Sequence, residues 1–271
     1  MKLQTRLLLA ALLLSCLSVP TQAASSKKKG FDVPVRDDGY WLRTVTALHA
    51  HWFYSWGGDA PKNLPRGVEF VPMDWGYYGN DNNNLVNHLA KVKAQPGIKT
   101  LLGFNEPDGK DQANISVEKA LEGWPYLMQT GLKLGSPAAV HPEGEWMRAF
   151  MKGAEEKHYR VDYICVHSYG GSDPQSFLTM LKRVYDLYHR PIWITEFAVA
   201  DWNTGPTHPN QYTPAQVAAF MKVVLPALEK TDYVQRYSWF CSVPEDGALG
   251  PSALVTKDGS LTELGRLYAS Y

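Results

Sequence analysis

The stretch DYICVHSYGGSDPQSFLTMLKRVYDLYHRPIWITEFA, Asp162–Ala198, decides the fold. Its two ends, DYICVHSY and PIWITEFA, are short runs that are apolar throughout rather than alternating. That is the pattern of strands buried on both faces of a parallel sheet. Between them the period changes to that of a helix. Asp173 stands as the cap, Pro174 occupies the first helical position, and Phe177, Leu181, Val184, Tyr185 and Tyr188 form one apolar stripe. Strand, helix, strand with this spacing predicts a right-handed βαβ unit.

The same alternation extends in both directions. Strand-like runs are expected at Thr44–Trp52, Val68–Trp75, Thr100–Pro107, Lys133–Ala139 and Gln235–Cys241, making seven with the two above. A degraded first strand at Lys28–Val33 supplies the eighth. The competing segment Ala253–Gly259 reads as a surface hairpin, because Lys257 and Asp258 suit a turn. Helical patterns fall at Asp81–Ala94, Gly144–His158 and Thr213–Lys230. The last opens with a Thr213/Gln216 capping-box spacing. The fold class predicted is α/β, a (β/α)8 TIM barrel with a degraded first strand.

The N-terminus reads as a targeting segment. Lys2 and Arg6 precede the apolar run Leu7–Val19, and small residues lead to a cleavage position near Ala23. Residues 1–23 are expected to be a signal peptide, 24–30 a linker, and 31–271 the barrel domain. The protein is then secreted, extracellular or periplasmic. A lipid-attachment box at Cys16 is the lesser alternative. Removing residues 1–23 from 271 leaves 248, close to the ~250 of a (β/α)8 barrel. The remaining cysteines, Cys165 and Cys241, sit in or beside apolar runs and read as buried thiols, with a disulfide in an oxidising compartment as the open alternative.

Zero formal net charge argues against nucleic acid and against an anionic membrane as partners of the mature form. No phosphate-cradling glycine motif is present, and no cofactor is expected. Nine Trp and fifteen Tyr exceed what a core of this size needs and point to an aromatic cleft.

In a barrel, chemistry sits at the C-terminal strand ends. The fourth strand runs into LLGFNEPDG (Leu101–Gly109) and ends in Asn105-Glu106; the seventh ends in Thr195-Glu196. A single Glu after a strand is more often a surface charge. Two such acids on strands three apart face each other across the mouth. Pro107 is expected to hold Glu106 extended, in an apolar setting that favours its protonated form. Hydrogen bonds near His167 and Tyr169 are expected to hold Glu196 ionised. Paired carboxyls with opposed roles are what glycoside hydrolysis requires. His167 reads as a hydrogen-bonding neighbour of the two. Tyr54, Trp56, Trp75 and Trp239 are the aromatics expected to face the cleft. A rival reading takes His49 and His51 as metal ligands on one strand face, with His167 as a third. Its ligand set is incomplete, so no metal is expected.

The motifs LLGFNEPD, DYICVHSYGG and PIWITEFA, with the ending LVTKDGSLTELGRLY, together resemble family 128 of the glycoside hydrolases. These are clan A barrel enzymes acting mainly on β-1,3-glucans. The similarity runs from about Lys28 to Tyr271. It implies a retaining hydrolase of β-1,3-glucans with Glu106 as acid/base and Glu196 as nucleophile; endo action is the expectation, and exo action stays open. It further implies that Asn105 and Tyr169 assist at the nucleophile and that Trp239 floors the attacked sugar's subsite. The alternative from another class is a non-catalytic β-1,3-glucan-binding protein on the same barrel, which would need neither glutamate.

Overall fold

The computed structural model describes residues 26–79 and 84–271. The signal-peptide segment and Cys16 lie outside the described residues. Among the described residues eight parallel strands alternate with helices, except that β2 leads to β3 through a loop: β1 (Lys29–Phe31), α1 (Tyr40–Ala47), β2 (Trp52–Phe53), β3 (Glu69–Phe70), α2 (Asn84–Ala94), β4 (Thr100–Leu101), α3 (Val117–Gln129), β5 (Lys133–Leu134) and α4 (Glu145–Glu156). Then come β6 (Ile164–Gly170), α5 (Pro174–Tyr188), β7 (Ile192–Val199), α6 (Pro214–Lys230), β8 (Val234–Trp239) and α7 (Glu263–Ala269). The ladder runs β3-β2-β1-β8-β7-β6, with β4 and β5 paired separately. Parallel bridges Met73–Leu102 and Gly135–Tyr163 join the two pieces into a closed ring. This is the expected (β/α)8 barrel, and its short first strand closes the ring between β2 and β8.

The βαβ unit read from Asp162–Ala198 forms as its residues dictate. Asp173 accepts hydrogen bonds from the Gln175 and Ser176 N–H groups, and Pro174 opens α5. Thr213 and Gln216 cap α6 reciprocally. The segment after Ala253 is a turn closed by an antiparallel Val255–Leu261 bridge, outside the barrel ladder. Cys165 and Cys241 are free thiols. Among the described residues no helix is long and apolar enough to cross a membrane.

Besides the shorter strands, two boundaries and one helix differ from expectation. Thr44–Ala47 is the end of α1, not the start of β2. Asp38 accepts the Tyr40 N–H at 2.9 Å, and the Thr44 hydroxyl folds back onto the Tyr40 and Trp41 carbonyls. Local hydrogen bonding thus overrides the strand propensity of Thr-Val-Thr. The linker also ends early, since Lys29 and Gly30 are buried in β1. The Lys29 ammonium caps carbonyls of Tyr268 and Ala269 at the C-terminal end of α7. The helix α3 has no counterpart among the expected elements, because Gly123 and Pro125 interrupt its sequence pattern.

Most of the core lies between the sheet and the helices. A second cluster fills the barrel itself, from Trp52, Tyr54, Val71, Met73, Leu102, Ala138, Tyr163, Cys165 and Trp193. The filling is tight enough to dictate glycine at two places. A Cβ on Gly30 would stand 2.4 Å from the Trp52 ring, and one on Gly135 would stand 2.5 Å from Cys165 Sγ. Trp56 and Trp75 pack on the upper surface of this plug and carry it into the cleft.

Candidate active site

Glu106 leaves the barrel by a turn. Its N–H still donates to the Ala138 carbonyl at 2.8 Å, while its own carbonyl accepts the Gly109 N–H at 2.9 Å. Glu106-Pro107-Asp108-Gly109 is therefore a hydrogen-bonded β-turn with proline second and glycine last. The extended backbone expected for Glu106 is not found. Its φ is 41°, in the left-handed region. The turn closure outweighs the preference imposed by the following proline. Asp108 accepts the Val140 and His141 N–H groups at 2.7 and 3.1 Å, tying this turn to the loop after β5.

Glu196 lies within β7, which continues to Val199, so it is not the strand's last residue. Register shifts flank it: β6 slips against β7 at Val166/His167, and β7 against β8 between Ile194 and Phe197. Such irregularities re-aim side chains at a barrel rim. Glu196 is buried, and its oxygens accept three hydrogen bonds. Tyr54 Oη donates to Oε1 at 2.6 Å, Trp56 Nε1 to Oε1 at 2.8 Å, and Tyr169 Oη to Oε2. All three partners are donors, the complement of an ionised carboxylate.

His167 joins the two acids. Its Nδ1 is 2.9 Å from Glu106 Oε1 and 3.5 Å from Glu196 Oε2. Burial works against its imidazolium form, but the charge of Glu196, the Glu106 hydrogen bond and charge, and Asp108 outweigh that and raise its pKa. A carboxylate oxygen from each glutamate and a ring nitrogen of His167 all lie within 4.8 Å of one another. These same three donors could hold a divalent cation. The His49/His51 pair has no part in that set. His49 has a φ of 52° and precedes β2. Both histidines line a separate groove with Arg66 and Arg266.

The acids open into a cleft of about 800 Å³. Trp56, Trp75, Asn105, His167 and Tyr169 line it. Asn105 Nδ2 donates to Gln112 at 3.0 Å, while its Oδ1 has no partner among the described residues. Two expected cleft aromatics stand elsewhere. Tyr54 is fully buried beneath Glu196, reaching it through its hydroxyl. Trp239 is fully buried on the helix side of β8, against Phe197, Phe220 and Tyr268, with Nε1 bonded to the Ser252 carbonyl. Successive strand residues point to opposite faces, so Phe240 faces the cleft instead.

Phe240, Gln112, Trp202 and the His141–Glu143 loop are lining residues that the motifs did not single out. Trp202, 63% exposed, lies in the loop after β7. Gln112 and Phe240 carry no sequence signal of their own.

The chain matches the glycosyl hydrolase catalytic core family over residues 36–268. It is similar to an endo-β-1,3-glucanase of glycoside hydrolase family 128, subgroup I, from Amycolatopsis mediterranei, solved with laminaritriose. That match has 36% identity, covers 90% of this chain and 99% of that one, and has a TM-score of 0.77. A subgroup II endo-β-1,3-glucanase from Sorangium cellulosum matches at 26% identity over 90% of this chain and 98% of its own, with a TM-score of 0.74. Alkali-sensitive linkage protein 1 of Schizosaccharomyces pombe is 31% identical over 90% of this chain, which spans only 45% of that relative's length. A closed barrel with this carboxylate pair, matched nearly end to end by family 128 structures, places the chain in the glycosyl hydrolase catalytic core family and, within it, in glycoside hydrolase family 128.

Proposed function

We propose that the protein is a retaining endo-β-1,3-glucanase with Glu196 as nucleophile and Glu106 as acid/base. The carrying observation is the pair of carboxylates bridged by one imidazole, with oxygens inside 4.8 Å. Retaining enzymes hold their carboxyls ~5–5.5 Å apart, whereas inverting enzymes leave ~6.5–9.5 Å for a water. Glu196 attacks the anomeric carbon while Glu106 gives its proton to the departing glycosidic oxygen. The resulting glycosyl ester on Glu196 is then hydrolysed by water that Glu106 deprotonates. Tyr54, Trp56 and Tyr169 keep the attacking oxygens oriented. Asn105 offers its free Oδ1 to a sugar hydroxyl, and Trp56, Trp75 and Phe240 give the sugar faces flat apolar walls. The laminaritriose complex of the Amycolatopsis relative supports β-1,3-linked glucose as substrate.

Proton NMR of a β-1,3-gluco-oligosaccharide digest tests the reading. The first-formed product carries the β anomer; an α anomer first, or no hydrolysis, refutes it. Glu196→Gln is expected to abolish turnover while leaving oligosaccharide binding intact. The N-terminal sequence further supports export, and Edman sequencing of culture fluid and periplasm tests it, expecting a new terminus at Ala24.

A further inference from the structure

One buried acid has no place in that mechanism. Asp32 follows β1 directly, is fully inaccessible, and has an Oδ2 with no hydrogen-bond partner among the described residues. Burying a carboxyl costs free energy unless it fills a need. The need here is visible in the ladder. Pairing between β1 and β8 ends at Phe31–Trp239. Two residues further on, the Cys241 N–H donates to Asp32 Oδ1 at 3.0 Å. The side chain thus supplies the acceptor that the ended strand no longer offers.

That bond reaches the nucleophile through one ring. Phe240, next to Cys241, stands edge-on to Trp56 at 6.0 Å between centroids and to Tyr169 at 5.2 Å. Trp56 and Tyr169 are two of the three donors on Glu196. The third, Tyr54, is held by the same segment, since its carbonyl accepts the Val33 N–H at 3.1 Å. We infer that Asp32 is a positioning residue for Glu196, anchoring the end of β8 so that Phe240 braces the side chains gripping the nucleophile. This rests on the retaining reading above. Burial first, and then the charge of Glu196, drive the Asp32 carboxyl well above the usual range, against the pull of the Cys241 N–H. Both influences favour the uncharged form of this acceptor. Facing it are Glu196 from β7, Tyr54 beyond β2, Tyr169 from β6, Cys241 beyond β8 and Tyr268 from α7.

The test reads Glu196 directly. An activated 2-deoxy-2-fluoro laminaribioside esterifies the nucleophile of a retaining enzyme. Intact-mass spectrometry then gives a labelling rate per folded molecule, which a merely structural loss of stability does not change. Asp32→Asn keeps a neutral acceptor oxygen and is expected to label within about threefold of the native rate. Asp32→Ala and Phe240→Ala are expected to label about 10- to 100-fold more slowly, the scale of a misplaced reacting group. Native-rate labelling of Asp32→Ala overturns the inference, as does Asp32→Asn labelling as slowly as Phe240→Ala. If Asp32→Ala does not fold, Asp32→Asn and Phe240→Ala still decide between these outcomes. Failure of the native protein to label refutes the retaining mechanism itself, and the inference falls with it.

Discussion

Asp74 offers a stability prediction with a definite sign. It lies beyond β3, beside Trp75 of the cleft, almost fully buried, with an Oδ2 that has no partner among the described residues. Burial raises its carboxyl from 3.8 to about 7. Below pH 3.8 the group is protonated in both folded and unfolded chains and contributes nothing. Between there and about 7 the unfolded chain ionises while the folded one resists, so stability falls as pH rises. Above about 7 the loss is complete. At 1.36 kcal/mol per pH unit the full cost is about 4 kcal/mol. Asp74→Asn has nearly the same shape and no charge to bury. Urea unfolding of both proteins from pH 4 to 8 is the assay. The variant is expected to match the native protein near pH 4 and to exceed it by about 4 kcal/mol near pH 7.5. A gap that stays flat with pH, or a native protein more stable than the variant at pH 7.5, refutes the reasoning.

Three other outcomes follow from the site and its supports. Glu106→Ala is expected to hydrolyse substrates with an activated leaving group to the glycosyl-enzyme and then stall. Azide should restore turnover and yield a β-glycosyl azide, identified by NMR. Trp75→Ala is expected to raise KM for β-1,3-gluco-oligosaccharides about tenfold, a loss of ~1.4 kcal/mol of apolar contact, with little change in kcat. Thr213→Ala removes the reciprocal cap of α6 and should cost about 1 kcal/mol in denaturant unfolding, leaving kcat unchanged.

Legibility of the sequence follows the length of the regular pattern. β6, α5 and β7 were readable because long apolar runs and a capped, periodic helix all agree there. β2 to β5 are two residues each, too short for any period to show, and their positions came from runs that mostly belong to the adjoining loops. Thr44–Ala47 failed because side-chain hydrogen bonds, not propensity, decided the local structure. At the site, both glutamates and His167 are identifiable from the apolar runs that carry them, although Glu196 and His167 lie inside β7 and β6 and Glu106 lies beyond β4. The Trp239/Phe240 exchange was not, since one residue of register decides which ring meets the cleft. The left-handed Glu106 is within reach of the sequence: Glu-Pro-Asp-Gly is a turn sequence, and the turn's closure outweighs the restriction from the proline.

The ladder is unequal around the ring. β6, β7 and β8 contain seven, eight and six residues, whereas β4, from which Glu106 hangs, contains two. Glu196 therefore rides on the stiff half of the molecule. Glu106 is carried by the half made mostly of loops, where the Glu106–Gly109 turn and the Asp108 bonds to Val140 and His141 hold it. Segments between β2 and β5 can then be exchanged for those of relatives to suit longer or more bent chains. Glu196 would stay seated on a fixed bench, with the tooling replaced only on the opposite side.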